Sequence, residues 1–136
     1  MNRFTLHIST DGNTDIVNLT NDLAKHLRNV QGNGLVHLFA VGSTCALTTI
    51  EFEPGLVKTD LKALMQKLIP DDARYEHEMT WSDDNGHSHL RASLVGPDLT
   101  IPYGEGKLLT GEYQQVVLID FDTRPRKRTI IGTIVS

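Results

Sequence analysis

Residues 75–102 read YEHEMTWSDDNGHSHLRASLVGPDLTIP and contain the change from helix to strand on which the fold assignment depends. Leu90, Leu94 and Val95 would share one face of a short helix, and Gly96-Pro97 supplies a strong stop for it. Leu99 to Tyr103, after the proline, is expected to be the next strand, with Pro102 tolerable at a sheet edge. The stretch therefore predicts a short helix followed directly by a strand.

The chain before this stretch predicts strands and helices in alternation. The predicted strands cover residues 3–9, 14–19, 35–41 and 45–52. The turn sequence Asp11-Gly12-Asn13 between the first two strands indicates a hairpin. Two longer amphipathic helices are expected, one starting near Thr20 or Asn21 and one running from Lys58 or Thr59 to Leu68.

The chain after the stretch reads as a run of strands. Strand-like segments at residues 99–103, 107–109, 112–121 and 129–136 are separated by glycine turns and by the basic segment TRPRKR, which predicts a meander. Mixed strands and helices followed by strands favour an α+β fold. We expect one domain over residues 1–136, with a mostly antiparallel, β-sandwich-like sheet, two longer helices and one short helix.

The composition excludes several classes of protein. A net charge of −4 over 136 residues argues against nucleic-acid binding, which needs a basic surface. No apolar run approaches the length of a membrane span, and the N-terminus does not resemble a secretory signal. The single cysteine, Cys45, fits a reducing compartment. We therefore expect a soluble, cytoplasmic protein.

Three of the six histidines lie in residues 75–102 and are candidate metal ligands. On a strand, His87 and His89 would project to the same face, as metal-binding His-x-His pairs do. On a helix, which we favour, they diverge and His89 shares a face with Ser93. Imidazoles with a carboxylate suit a divalent transition metal such as zinc, so the expected ligands are His77, His87 and His89. The alternative is a group of loop histidines at a polar surface.

Two other segments could bind an anion. Gly42-Ser43-Thr44 lies between two predicted strands and could present backbone N–H groups, although it lacks the rest of a phosphate loop. The basic run from Arg124 to Arg128 suits a phosphate clamp, which Arg91 could join. The alternative for this run is a solvated turn that protects a sheet edge. Asp83 is better explained by turn or helix-cap chemistry, and Trp81 by packing.

Residues 33–56, NGLVHLFAVGSTCALTTIEFEPGL, and residues 75–128 resemble the YjbQ-type family, which is known as secondary thiamine-phosphate synthase. The resemblance covers nearly the whole chain and is most specific around Asn85, His89 and Ser93. It implies an α+β fold, a homotrimer and a small phosphorylated ligand. The implied reaction joins a hydroxymethylpyrimidine diphosphate to a thiazole phosphate and releases pyrophosphate, with help from a divalent metal such as zinc or magnesium.

The resemblance also implies which residues act. The polar positions that match the family pattern are Thr44, Glu51, His77, Asn85, His89 and Ser93. From these we predict a catalytic set of His89, Glu51, Ser93 and Asn85. The predicted anion-binding set is Ser43, Thr44, Arg91, Arg124 and Arg126.

The chain departs from the family pattern at Gly42, where many members have a histidine. We hypothesise that His87 supplies the missing imidazole from the facing loop. A second interpretation of the whole chain is a non-catalytic trimeric module that binds a metal or an anion.

Overall fold

The computed structural model describes residues 2–136 and contains eight strands and four helices. The strands are β1 (Asn2–Thr10), β2 (Asp15–Asn18), β3 (Asn33–Val41), β4 (Cys45–Glu51), β5 (Asp98–Gly104), β6 (Lys107–Leu108), β7 (Gln114–Asp120) and β8 (Arg126–Val135). The helices are α1 (Thr20–Leu27), α2 (Leu61–Leu68), α3 (Glu76–Trp81) and α4 (Gly86–Val95), and a π-helical turn (Leu56–Asp60) leads into α2.

The strands form two antiparallel sheets. The larger sheet has the order β1-β8-β3-β5-β6, and the smaller one has the order β2-β7-β4. Together with the helices, these sheets confirm the predicted α+β fold. No helix within residues 2–136 is long and apolar enough to cross a membrane.

Strand β7 lies at the centre of the molecule because both of its faces are buried. Val116 and Leu118 pack into the core between the two sheets. Val117 and Ile119 point the other way, as successive residues of a strand must, into a second core beneath the helices. The helical side of this second core comes from Val57, Met65 and Ala92. The molecule therefore has three layers, with the small sheet in the middle.

Two predicted connections are wrong. The first two strands do not form a hairpin, because β1 pairs with β8 and β2 pairs with β7. Gly12 has a φ of +79° and Asn13 one of +55°, so the chain turns tightly there and crosses from the large sheet to the small one. The predicted C-terminal meander is also wrong, since β7 and β8 belong to different sheets.

The predicted helices are present, with three differences. The predicted short helix is α4, but its 10 residues make it longer than α1 and α2, which have 8 each; Gly96 lies directly after its end. The structure adds α3, which the sequence did not indicate because none of its residues is buried. Trp81 at the end of α3 is 71% exposed, so it is not the packing residue that we expected.

The site is positioned where several chain segments meet at one end of the two sheets. The loop of residues 42–44 joins β3 to β4 there, and β7 ends and β8 begins at the same place. Hydrogen bonds from Thr44 and Asn85 to Asp122 attach this end to the start of α4. Residues far apart in sequence are thereby brought into one region.

Candidate functional site

A histidine and two carboxylates meet where α3 turns towards α4. His77 Nδ1 lies 2.8 Å from Asp83 Oδ1 and 3.4 Å from Glu78 Oε1. Ser82 adopts the left-handed conformation, with a φ of +55°, and so reverses the chain between His77 and Asp83. We call His77, Glu78 and Asp83 the His77 cluster. One ligand atom from each residue lies within 4.8 Å of the others, which is close enough to hold one metal ion.

The two closest atoms in the His77 cluster, His77 Nδ1 and Asp83 Oδ1, do not form a hydrogen bond. His77 Nδ1 and Asp83 Oδ1 are both buried, and neither has a partner in hydrogen-bonding geometry. Asn85 Oδ1, two residues further on, is also buried without a partner. Buried polar atoms are rarely left unpaired in native proteins, and a bound ion is a common partner for those that lack a hydrogen bond. The arrangement therefore suits a cation that accepts electron pairs from the nitrogen and the oxygen together.

His89 lies beside the His77 cluster. Its ring centroid is 4.5 Å from that of His77. Asn85, His89 and Ser93 are spaced four residues apart, so they follow one side of α4. Ser93 lines a cavity of about 190 Å³ that also contacts Gly42 and Ser43. Of the predicted residues, the structure thus places His77 beside His89 and Ser43 beside Ser93, with Asn85, His89 and Ser93 along one side of α4.

His87 lies apart from this group. It is 5% exposed, and its ring centroid is 6.4 Å from that of Tyr75. Residues two positions apart in an α-helix are separated by about 200° around its axis, so His87 points away from His89. Burial, followed by the charge of Arg91, lowers the pKa of His87. The structure does not place His87 with the other predicted ligands, nor does it place it as a substitute for a side chain at Gly42.

Arg91 holds α4 against α2 and the β1–β2 turn. Its guanidinium donates to the Ile69 carbonyl oxygen, to Gln66 Oε1 and to Thr14 Oγ1. The side chain is buried, and burial lowers its pKa. Because protein acceptors already surround Arg91, the structure gives it a tethering position and does not present it to a ligand.

A second charged group lies inside the sandwich. We call it the arginine–aspartate network, and it contains Thr10, Thr44, Asp120, Asp122, Arg126 and Arg128. Arg128 donates to Asp120 through Nε at 2.7 Å and through Nη2 at 2.9 Å. Thr10 Oγ1 donates to the same carboxylate at 2.6 Å. Hydrogen bonding to Asp120 is the largest cause of the raised pKa of Arg128. The bidentate pair satisfies the buried Asp120 completely.

Asp122 connects the network to α4. Burial raises its pKa, but hydrogen bonds from the Thr123 backbone and from Asn85, Arg126 and Thr44 outweigh burial and lower the pKa overall. Arg126 Nε donates at 2.8 Å and Asn85 Nδ2 at 3.3 Å. The side chain of Asn85 is thereby oriented with its oxygen free, on the same side of α4 as His89.

Of the remaining predicted residues, Arg124 lies close to the arginine–aspartate network and Glu51 does not. Arg124 Nη2 lies 3.7 Å from Asp84 Oδ1 in an exposed pair. Glu51 ends β4, opposite Gln114, whereas Thr44 precedes the start of the same strand. A strand of this length spans about 20 Å. Within one chain, Glu51 therefore does not face the histidines.

Sequence reasoning missed four charged residues of this region: Glu78, Asp83, Asp120 and Asp122. It named Arg128 only as the end of the basic run. One signal was available for the pairing of Asp120 with Arg128. Asp120 lies within an apolar run, and a carboxylate at such a position must be buried with a cationic partner. The basic segment of residues 123–128 was the only cationic run that could supply one. No comparable signal marked Asp83, because Asp-Asp-Asn-Gly is ordinary turn sequence.

Comparison with known proteins gives one consistent family. The family model described as UPF0047 protein YjbQ-like matches residues 4–136. A UPF0047 protein of Archaeoglobus fulgidus is 32% identical over 126 residues, which cover 93% of this chain and 95% of the relative. The UPF0047 protein YjbQ of Salmonella typhimurium is 33% identical over 101 residues, which cover 74% of this chain and 72% of the relative.

Solved structures show the same fold. The crystal structure of the hypothetical protein APE1520 from Aeropyrum pernix superposes with a TM-score of 0.90 at 25% identity, covering 100% of this chain and 99% of that one. A YbjQ-like protein from Sulfolobus solfataricus, described as being of unknown function, gives a TM-score of 0.86 at 26% identity over 98% of this chain and 96% of that one.

Proposed function

This chain belongs to the UPF0047, YjbQ-like family, and we propose that it is a metal-assisted enzyme that acts on a small phosphorylated substrate. One observation carries the proposal. His77 Nδ1 and Asp83 Oδ1 are buried 2.8 Å apart, and neither has a hydrogen-bond partner. These atoms lie next to His89, whose ring centroid is 4.5 Å from that of His77.

The donor set of the His77 cluster fits a divalent metal. His77, Glu78 and Asp83 would be its ligands, since their ligand atoms lie within 4.8 Å of one another, and the His89 ring lies beside that of His77. A nitrogen donor beside oxygen donors suits zinc or a similar transition metal better than magnesium, which takes oxygen ligands. Glu78 Oε1 accepts the Gly86 N–H at 2.5 Å, so this carboxylate also anchors the first turn of α4.

Polar residues of α4 and of the loop of residues 42–44 suit a phosphorylated substrate. A bound divalent ion would supply positive charge that stabilises a diphosphate leaving group. Ser43 and Ser93 line the cavity and can donate hydrogen bonds to phosphate oxygens. Asn85 is held by Asp122 and can orient a polar group of the substrate, while the His89 imidazole can accept or donate a proton.

The finer proposal is thiamine-phosphate synthesis, the reaction that the family resemblance implies. In that reaction the bond between the pyrimidine methylene carbon and the diphosphate oxygen breaks. A bond from the same carbon to the thiazole nitrogen forms, and pyrophosphate leaves with the electron pair. The chain's own contribution would be to bind the diphosphate, to orient the two rings and to exclude water.

The proposal is tested first by metal binding. We would measure the zinc content and zinc affinity of the wild type, of His77→Ala and of His26→Ala, which removes a histidine outside this region. We expect His77→Ala to lose most of the bound metal and His26→Ala to keep it. Equal metal content in all three proteins would overturn the metal centre.

Turnover is the second test. The metal-loaded protein would be incubated with the pyrimidine diphosphate and the thiazole phosphate, and released pyrophosphate would be followed. Metal-dependent release that His89→Ala abolishes would support the enzyme. Ligand binding with no release would instead support the alternative, a non-catalytic trimeric module.

A surface feature favours self-association under either function. The outer face of the large sheet exposes Leu35 (46%), Phe39 (42%) and Val41 (48%), and no other layer of the described chain covers it. We propose that this face lies in the contact between the copies of a homotrimer. Sedimentation of the wild type and of Phe39→Glu tests this, with loss of the trimer expected in the variant. A monomeric wild type would overturn the proposal.

A further inference from the structure

Arg128 has one guanidinium nitrogen that the arginine–aspartate network leaves free. Its Nε and Nη2 donate to Asp120, and Nη2 also donates to Thr44 Oγ1 at 2.6 Å. Nη1 donates to no protein acceptor within residues 2–136, although the side chain is only 10% exposed. A buried, rigidly held cation therefore keeps its outermost donor unused.

Gly42 is the residue that uncovers this nitrogen. A Cβ atom added at Gly42 would lie 2.8 Å from Arg128 Nη1 and 3.2 Å from Cys45 Sγ. Gly42 does not adopt a left-handed conformation, so the backbone itself does not require glycine here. Because Gly42 has no side chain, no Cβ atom covers Nη1 at this short distance.

The surrounding loop offers further donors. Within the described part of the chain, the backbone N–H groups of Ser43 and Thr44 form no hydrogen bond to a protein acceptor. Cys45, whose sulfur would lie 3.2 Å from the same Cβ, also lines the cavity that reaches Ser93. A ligand in that cavity contacts Ser43 and Ser93 and lies next to Gly42 and Cys45, the two residues that border Nη1, although Arg128 itself does not line the cavity.

We propose that Arg128 Nη1 and the loop of residues 42–44 form a seat for a phosphoryl oxygen of the ligand. The proposal deepens the proposed function and rests on it only for the ligand class, since the seat itself contains no metal ligand. Asp120 and Asp122 balance the charges of Arg126 and Arg128. Affinity in the seat therefore comes from directed, charge-assisted hydrogen bonds rather than from a large positive field.

The seat differs from the exposed basic turn that the sequence suggested. Arg124 and Arg126 are more than 40% exposed, and Arg126 already donates to Asp122. Long exposed side chains lose conformational freedom when they hold a ligand, whereas the Arg128 guanidinium is fixed in advance. The two candidate sites can be separated because Arg128 is the one arginine that a side chain at Gly42 would touch.

The experiment uses inorganic pyrophosphate and phosphate as probes, measured by titration calorimetry on the full chain without metal. Gly42→Ala places a methyl group against Nη1 without removing any charge. Gly111→Ala is the matched control, because a Cβ there would meet only Gln114 atoms at 3.6 Å and beyond. We expect about tenfold or greater weakening of pyrophosphate binding in Gly42→Ala, the effect of one charge-assisted hydrogen bond, and none in the control.

Three results would overturn the seat. The first is wild-type affinity for pyrophosphate in Gly42→Ala, and the second is no pyrophosphate binding by the wild type with or without zinc. The third is that Arg124→Ala loses pyrophosphate binding while Gly42→Ala keeps it. Acetate serves as a second probe, and tighter binding of acetate than of phosphate would contradict a phosphoryl ligand. Zinc titration separates this proposal from the metal centre. If Gly42→Ala weakens pyrophosphate binding in a protein that binds no zinc, the seat stands and the metal centre fails.

Discussion

The arginine–aspartate network and the His77 cluster both hold ionisable side chains within 3 Å of each other, yet their atoms are used differently. In the network, each oxygen of Asp120 accepts from Arg128, and Thr10 adds another bond. In the cluster, His77 Nδ1 and Asp83 Oδ1 are equally close and remain without a hydrogen bond. Close approach with complete pairing stabilises the fold, while close approach without pairing leaves atoms available for a ligand.

The largest effect is expected from breaking the network at Asp120. Asp120→Asn removes the negative charge but leaves Arg128 buried, and loss of one partner of a buried pair costs about 3–5 kcal/mol. We expect the free energy of unfolding, measured by urea denaturation, to fall by that amount. Asp98→Asn is the control, because its pair with His37 is exposed and should cost less than about 1 kcal/mol. Equal losses in both variants would show that the network is not the stabilising element.

The next effect is expected at the cluster, and on metal affinity rather than on stability. Asp83→Asn removes the charge of one proposed ligand, and we expect zinc affinity to fall about 100-fold, equivalent to about 2.7 kcal/mol. The stability of the metal-free protein should stay within about 1 kcal/mol, since Asp83 Oδ1 has no hydrogen bond to lose. The opposite pattern, a large loss of metal-free stability with zinc affinity unchanged, would make the cluster a second structural network.

A smaller and pH-dependent effect is expected from Asp122. Its pKa is lowered below the ordinary value of 3.8, so its ionised form stabilises the folded state above about pH 3.8. That contribution is lost as the pH falls through the folded-state pKa. We expect Asp122→Asn to cost about 2 kcal/mol at pH 7 through its lost charged hydrogen bonds. The difference from wild type should shrink below pH 3.8, as measured by urea denaturation at each pH. A difference that does not change with pH would contradict the role of the ionised carboxylate.

Local sequence patterns predicted the features that depend on neighbouring residues, such as helices. The helix α4 follows from apolar spacing and a Gly-Pro stop, and its geometry then placed His89 and Ser93 on one side as expected. The pairing of β2 could not be predicted from the turn before it, because its partner β7 lies about 100 residues later.

The site was harder to predict than the fold because its parts come from separate segments. The histidines of residues 77 and 89 were recognised by residue type, but the carboxylate of Asp83 looked like turn chemistry. The free nitrogen of Arg128 depends on a missing side chain at Gly42, which lies 86 positions earlier in the sequence. A contact of that kind becomes visible only when the loop and the strand are seen together.

The smallest effect, and the sharpest test of the comparison, is expected at Asp84. It is adjacent to Asp83 and has the same charge, but it is exposed and its oxygen accepts from Thr123 Oγ1 at 2.8 Å. Asp84→Asn should therefore change stability by less than about 0.5 kcal/mol, as surface substitutions do, and zinc affinity only a few-fold. Calorimetric zinc titration of the two variants side by side makes the comparison. If Asp84→Asn weakens zinc binding as much as Asp83→Asn, general negative charge holds the metal, and the unpaired oxygen of Asp83 has no special role.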